Sequence, residues 1–203
     1  MSDSQPKKDV LASNFVKDRI WYLINKEKDA TVRAVLARLR RGVGIVPGSD
    51  PDIWADTLAG LQDEILSETG KPTQGEWAVH IALTLFATHQ QGNDMKVKCM
   101  HQENQSLGKA IRKLADIKGE GGEDAVKRRF NAMATSESID EFANHLRGMV
   151  QLLKAEGVGL DYVQLTQDLY WFQNPDFREN LRLKWGQDYY RVYKASAGSS
   201  SDE

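Results

Sequence analysis

Residues 138–154, Ser-Ile-Asp-Glu-Phe-Ala-Asn-His-Leu-Arg-Gly-Met-Val-Gln-Leu-Leu-Lys, decide the fold class. Ile139, Phe142, Ala143, Leu146, Met149, Val150 and Leu153 recur at steps of three and four, which stacks their side chains on one face of a helix. Ser138 with Glu141 three positions later has the spacing of a capping box, in which side chains satisfy amides that the first turn leaves unpaired. Gly157 follows the end, where a helix commonly closes through left-handed backbone. A helix with one apolar face and both ends marked needs other apolar faces to bury it.

The flanking sequence offers those faces. Asp161 and Gln164 open a segment running through Trp171, and Asn174-Pro175 opens a last helix that carries Phe177, Leu181, Trp185 and Tyr189. On the other side, helices are expected near 123–134, 106–116, 31–41 and 10–27. Thr73 and Glu76 are spaced as a further capping box, ahead of Trp77, Ile81 and Leu85. Asp50-Pro51 is expected to start a helix through Ile53, Trp54, Leu58, Leu61 and Ile65. That makes nine helices, with no alternating run of β-branched residues to suggest a strand. The expected architecture is all-α, two small helical bundles packed together. Gly119-Glu120-Gly121-Gly122 marks the boundary, with an N-terminal bundle over 9–118 and a C-terminal one over 119–194. The polar ends, 1–8 and 195–203, are expected to be disordered tails, and His89 to Gln105 an exposed polar loop.

Composition narrows the function by exclusion. The 203 residues include 27 basic and 29 acidic ones, a formal net charge of −2, so total charge selects no polyanionic partner. A single cysteine, Cys99, rules out an internal disulfide and fits a reducing compartment. The opening residues hold no apolar signal core, and no apolar run nears the roughly 18 residues of a membrane span. The expectation is a soluble, cytoplasmic protein with no membrane contact. His80, His89, His101 and His145 join no nucleophile pattern, and Cys99 with His89 and His101 lacks a fourth metal ligand at a recognised spacing. No P-loop, nucleophile elbow or HExxH sequence occurs. The reading is a non-catalytic protein without cofactor or metal.

Local charge is more informative. Thr31 to Arg41 holds Arg33, Arg38, Arg40 and Arg41 and no acid, while Val32, Val35, Leu36 and Leu39 share one apolar face, with Arg33 and Arg40 together on its flank and Arg41 opposite. Burying that side would present guanidinium groups outward, unless the acids from Asp52 to Glu68 neutralise them. From Lys96 to Arg129 nine basic residues face five acids. Arg147 lies on the flank of the helix first quoted, and Arg178 and Arg182 form an i, i+4 pair on the last. Arginine binds phosphate oxygens in a bidentate fork and each contact releases counterions, so such flanks suit sequence-independent grip on a nucleic-acid backbone.

Several blocks recur in the order of one family. Leu39-Arg40-Arg41-Gly42, Leu85-Phe86-Ala87-Thr88-His89-Gln90, Ser106-Leu107-Gly108-Lys109-Ala110-Ile111 and Val126-Lys127-Arg128-Arg129-Phe130 are followed by His145-Leu146-Arg147-Gly148-Met149-Val150, Asp168-Leu169-Tyr170 and Leu183 to Tyr190. Over about 30–190 the chain resembles the CasB family, the small subunit of the type I-E CRISPR surveillance complex Cascade. The resemblance implies an all-helical, non-enzymatic subunit, two copies of which stack within the complex beside other Cascade subunits. It implies contact with the backbones of guide RNA and target DNA, including the displaced strand of the R-loop. By matched blocks the contacts fall on Arg40, Arg41, Lys109, Arg128, Arg129 and Arg147; their positions in neighbouring helices add Arg112, Lys113, Arg178 and Arg182. Gly148 stands where some members carry a second basic residue. The competing reading is a helical scaffold whose arginines pair with acidic protein surfaces and touch no nucleic acid.

Overall fold

A computed structural model describes residues 7–27 and 29–191. The tails expected at 1–8 and 195–203 lie outside them, except for Lys7 and Lys8, and Lys8 is already helical. Among the described residues there are nine α-helices and no strand. They are α1 (Lys8–Asn25), α2 (Asp29–Arg41), α3 (Trp54–Thr57), α4 (Gln74–Gln90), α5 (Leu107–Lys118), α6 (Gly122–Ala134), α7 (Ile139–Ala155), α8 (Tyr162–Phe172) and α9 (Pro175–Tyr190).

The caps explain where most of them start. Thr73 accepts the amide of Glu76, whose carboxylate returns to the Thr73 amide at 2.7 Å, so both halves of that box are made. Ser138 accepts the Glu141 amide at 3.1 Å, whereas Glu141 reaches the amide of Glu137, one residue further out. Asp161 takes the amides of Val163 and Gln164, both at 3.0 Å, and Asn174 takes that of Asp176.

One apolar core runs through both halves of the chain. α1 and α8 pack on each other and on α4, which α2 covers from another side. α5, α6, α7 and α9 form the second group, and α7 on α4 and α9 on α8 join the two. At the centre, Phe142 of α7 stacks on Phe172 (centroids 4.3 Å apart) and on Trp185 (5.3 Å). Asp168, 2% exposed, accepts from the Trp185 indole and the Lys184 ammonium, each at 2.7 Å, and so ties α8 to α9. A buried carboxylate needs such donors, because an unpaired one would cost several kcal/mol.

Two expectations fail locally. The helix from Pro51 does not run to Ile65: it is a 3-10 turn at 51–53, one α turn at 54–57 and another 3-10 turn at 63–65. Gly60, at φ +84, turns the chain between them. Ile53, Leu61 and Ile65 are buried from separate turns, so their helix-like spacing arose without a continuous helix. The segment 89–105 is not loose either. Its first two residues belong to α4, and the Gln90 side chain accepts from the Met100 amide and donates to the carbonyls of Asn93 and Lys98. Met95 and Met100 are buried, and the 101–102 backbone pairs with Leu160.

Candidate nucleic-acid interface

α2 is set on the protein by Val32, Val35, Leu36 and Leu39, all buried. Its last turn is fixed by His80 of α4, whose ring Nε2 lies 2.8 Å from the carbonyl of Gly42. A carbonyl only accepts, so the ring donates there. Burial keeps His80 neutral by lowering its pKa. The helix therefore presents its arginines from a rigid base, and the structure separates them. Arg38 donates to Asp56 through Nε and an Nη (3.2 and 3.0 Å), and Arg41 pairs with Asp52 at 3.2 Å. The acids after Pro51 thus neutralise two of the four. Both Arg41 and Asp52 are largely exposed, so that pair is weak in water. Arg33 and Arg40 have no ion-pair partner among the described residues. They share a cleft of about 380 Å³ with Lys26 and Lys96.

Lys109, Arg112 and Lys113 of α5 line a second, shallow cleft together with Asp116 and Asp188. The Lys109 ammonium donates to the carbonyl of Asn104 at 3.0 Å. Arg112 pairs with Asp116 and with Glu123 (3.2 Å) and lies over the Tyr189 ring. The hydrogen bond to Asp116 raises the Arg112 pKa further, so its charge is fixed but committed. Lys113 is exposed and unpaired among the described residues.

Arg128 and Arg129 project from α6 into solvent, also without an ion-pair partner among the described residues. Their neighbour Lys127 sits over the Tyr190 ring. Arg147 of α7 is exposed at the rim of a third cleft, between α7, α4 and residues 43–46.

Arg178 and Arg182 have a structural task. Arg178 donates to the Phe172 carbonyl and Arg182 to those of Ala134 and Ser136. Both pair with Glu137, at 3.0 and 2.9 Å, and stitch α9 to the α6–α7 turn. The Arg182 hydrogen bond leads in holding the Glu137 carboxyl below its usual range.

Of the ten expected residues, Arg40 shares a cleft with Arg33, Arg41 pairs with Asp52, Lys109, Arg112 and Lys113 line one cleft, Arg147 lines another, Arg178 and Arg182 share Glu137, and Arg128 and Arg129 are neighbours on α6. Lys26, Arg33 and Lys96 were not among the ten. The seven-residue step from Arg33 to Arg40 signals the first pairing on one helix flank, but nothing in the sequence brings Lys96 to α2. Among the described residues no three His, Cys, Asp or Glu side chains converge to hold a metal, and no helix is long and apolar enough to cross a membrane.

No curated protein matches this chain in sequence. Among solved structures, CasB from Thermobifida fusca is similar at 30% identity and a TM-score of 0.69, over 89% of this chain and 98% of that one. CasB from M. ruber shares the fold at 21% identity and a TM-score of 0.64, over 87% and 93% of the two chains. Residues 35–190 match the family described as CRISPR-associated protein Cse2. With that match across most of its helices and the blocks read in its sequence, the chain belongs to the Cse2 (CasB) family of type I-E Cascade subunits.

Proposed function

We propose that the protein is the non-catalytic small subunit of a Cascade complex and that it holds nucleic-acid backbone there. It contacts the guide RNA and the target DNA, and it keeps the displaced strand from re-pairing. In this reading two copies stand side by side among the other Cascade subunits, in the cytoplasm. The observation that carries the reading is a division among the cations. Arg33, Arg40, Lys113, Arg128, Arg129 and Arg147 keep their charge uncommitted among the described residues, and Arg41 is held only by a weak exposed pair, while Arg38, Arg112, Arg178 and Arg182 are spent on acids of the same chain. Exchanging a DNA duplex for a guide–target heteroduplex is nearly balanced in free energy, so a few backbone contacts suffice to hold the loop open.

The test is R-loop formation by reassembled Cascade carrying Arg128→Ala and Arg129→Ala. R-loop yield should fall for every target sequence, and the dependence of log K on log salt should flatten by about one unit for each phosphate no longer held. Arg178→Ala with Arg182→Ala is the contrast: it should lower thermal stability and leave the salt slope nearly unchanged. Unaltered yield and slope in the α6 variant would defeat the reading. The scaffold alternative draws on exposed Trp21 (66%) and Leu183 (62%), which offer apolar anchors to a protein partner. Cross-linking inside the assembled complex separates the two, because a scaffold gives no nucleic-acid adduct at these cations.

A further inference from the structure

The cleft beside Arg33 and Arg40 is built unlike a plain basic surface. Its floor is apolar: Leu23 of α1, Val32 and Leu36 of α2, and Met95 from the loop after α4, all buried. Its rim carries Lys26, Arg33, Arg40 and Lys96 against two acids, Asp29 and Asp94. Asp94 is engaged already, its carboxylate accepting the amides of Lys96 (2.7 Å) and Val97 (3.2 Å). Amide side chains complete the rim. Gln91 accepts from Lys154 at 2.9 Å, which leaves its NH2 group able to donate into the cleft, and Asn93 stands beside it.

Backbone phosphates alone need cations and no apolar floor. An apolar floor under a cationic rim fits a ligand that is flat and greasy on one side and anionic on the other. We propose that this cleft takes one unstacked nucleobase of a single strand, laid on Leu36 and Met95, with Arg33 and Arg40 holding the adjoining phosphates. The inference rests on the strand-contact reading above and adds to it a pocket for the base. A volume of about 380 Å³ lies at the low end of small-ligand pockets, roughly 300–1,000 Å³, and suits one nucleotide. Every nucleobase offers both donors and acceptors on its edge, so side-chain amides that present either can hold any of them, and the pocket need not select sequence. An extruded base on an apolar bed between charged phosphate clamps also explains how a subunit without sequence readout could delay re-pairing, since that base is removed from its complement.

The test uses the full-length protein at low salt with a short DNA single strand, in intact form and with every base removed. The intact strand should bind about tenfold more tightly than the abasic one. Met95→Thr, which makes the floor polar, should shrink that ratio towards one. A strand carrying 4-thiothymine should cross-link to the peptides holding Val32 to Leu36 or Met95. Equal affinity for intact and abasic strands would overturn the base pocket and leave the backbone reading standing. Failure to bind either strand would remove both. Cross-links confined to other peptides, or an undiminished ratio in Met95→Thr, would place the base elsewhere and overturn the assignment. AMP binding as tightly as the strand would identify a free nucleotide as the ligand, and overturn the strand as its source.

Discussion

At the scale of single residues, His89 sets how the protein responds to acid. The ring is wholly buried, its Nδ1 sharing a hydrogen bond with the Tyr162 hydroxyl at 3.0 Å while Nε2 has no partner among the described residues. Burial, aided by the nearby Lys154 and Lys98, pushes its pKa down from 6.5 to about 4. The folded value lies below the unfolded one, so the native state binds fewer protons. Its contribution is therefore whole above about pH 6.5 and is lost as pH falls towards 4. A shift of that size is worth about 3 kcal/mol over the interval. His80 and His101, also lowered by burial, act in the same direction. Thermal melts between pH 7.5 and 4 should show Tm falling through this window. His89→Gln should make the fall shallower, whatever it costs at neutral pH. A Tm that stays level from pH 6.5 to 4.5 would contradict this account.

At the scale of elements, the approach of α5 to α9 depends on a missing side chain. A Cβ at Gly108 would collide with the Trp185 carbonyl oxygen and lie 2.8 Å from Asp188 Cβ, both fixed parts of α9. Ser106 reinforces the approach by donating to the Asp188 carboxylate at 2.6 Å. Gly108→Ala should force the helices apart at a cost of about 1–3 kcal/mol despite its better helix propensity, which denaturant melts would read directly. A more stable Gly108→Ala protein would show that α5 can shift without strain. The helices were legible because their signals are local: Thr73, Ser138, Asp161 and Asn174 each cap the helix whose start they mark. The turns at 51–65 were not, because Ile53, Leu61 and Ile65 mimic a helical stripe while each reaches the core from its own bend. The candidate site was legible only as a set of cations. Whether an arginine is free depends on acids far along the chain, as with Arg38 and Asp56 or Arg178 and Glu137, and spacing within one helix carries none of that.

At the scale of the whole molecule, the two helix groups interleave along the sequence. α8 closes the first group against α1 and α4, and α5 belongs with α9, α6 and α7. Each group thus takes a helix from the far side of the Gly119–Gly122 break, and Phe142, Phe172 and Trp185 sit where the groups meet. Unfolding by denaturant should be one transition, with far-ultraviolet dichroism and tryptophan fluorescence coinciding. Two separated transitions would support instead the division expected at 119–122. The same interleaving has a consequence at birth. A ribosome delivers α1 and α4 long before α8, so the nascent chain must carry their apolar faces uncovered until residue 172 has cleared the exit tunnel. Translation speed over the second half, and the chaperones waiting at the tunnel mouth, therefore bear on how much usable protein a cell obtains.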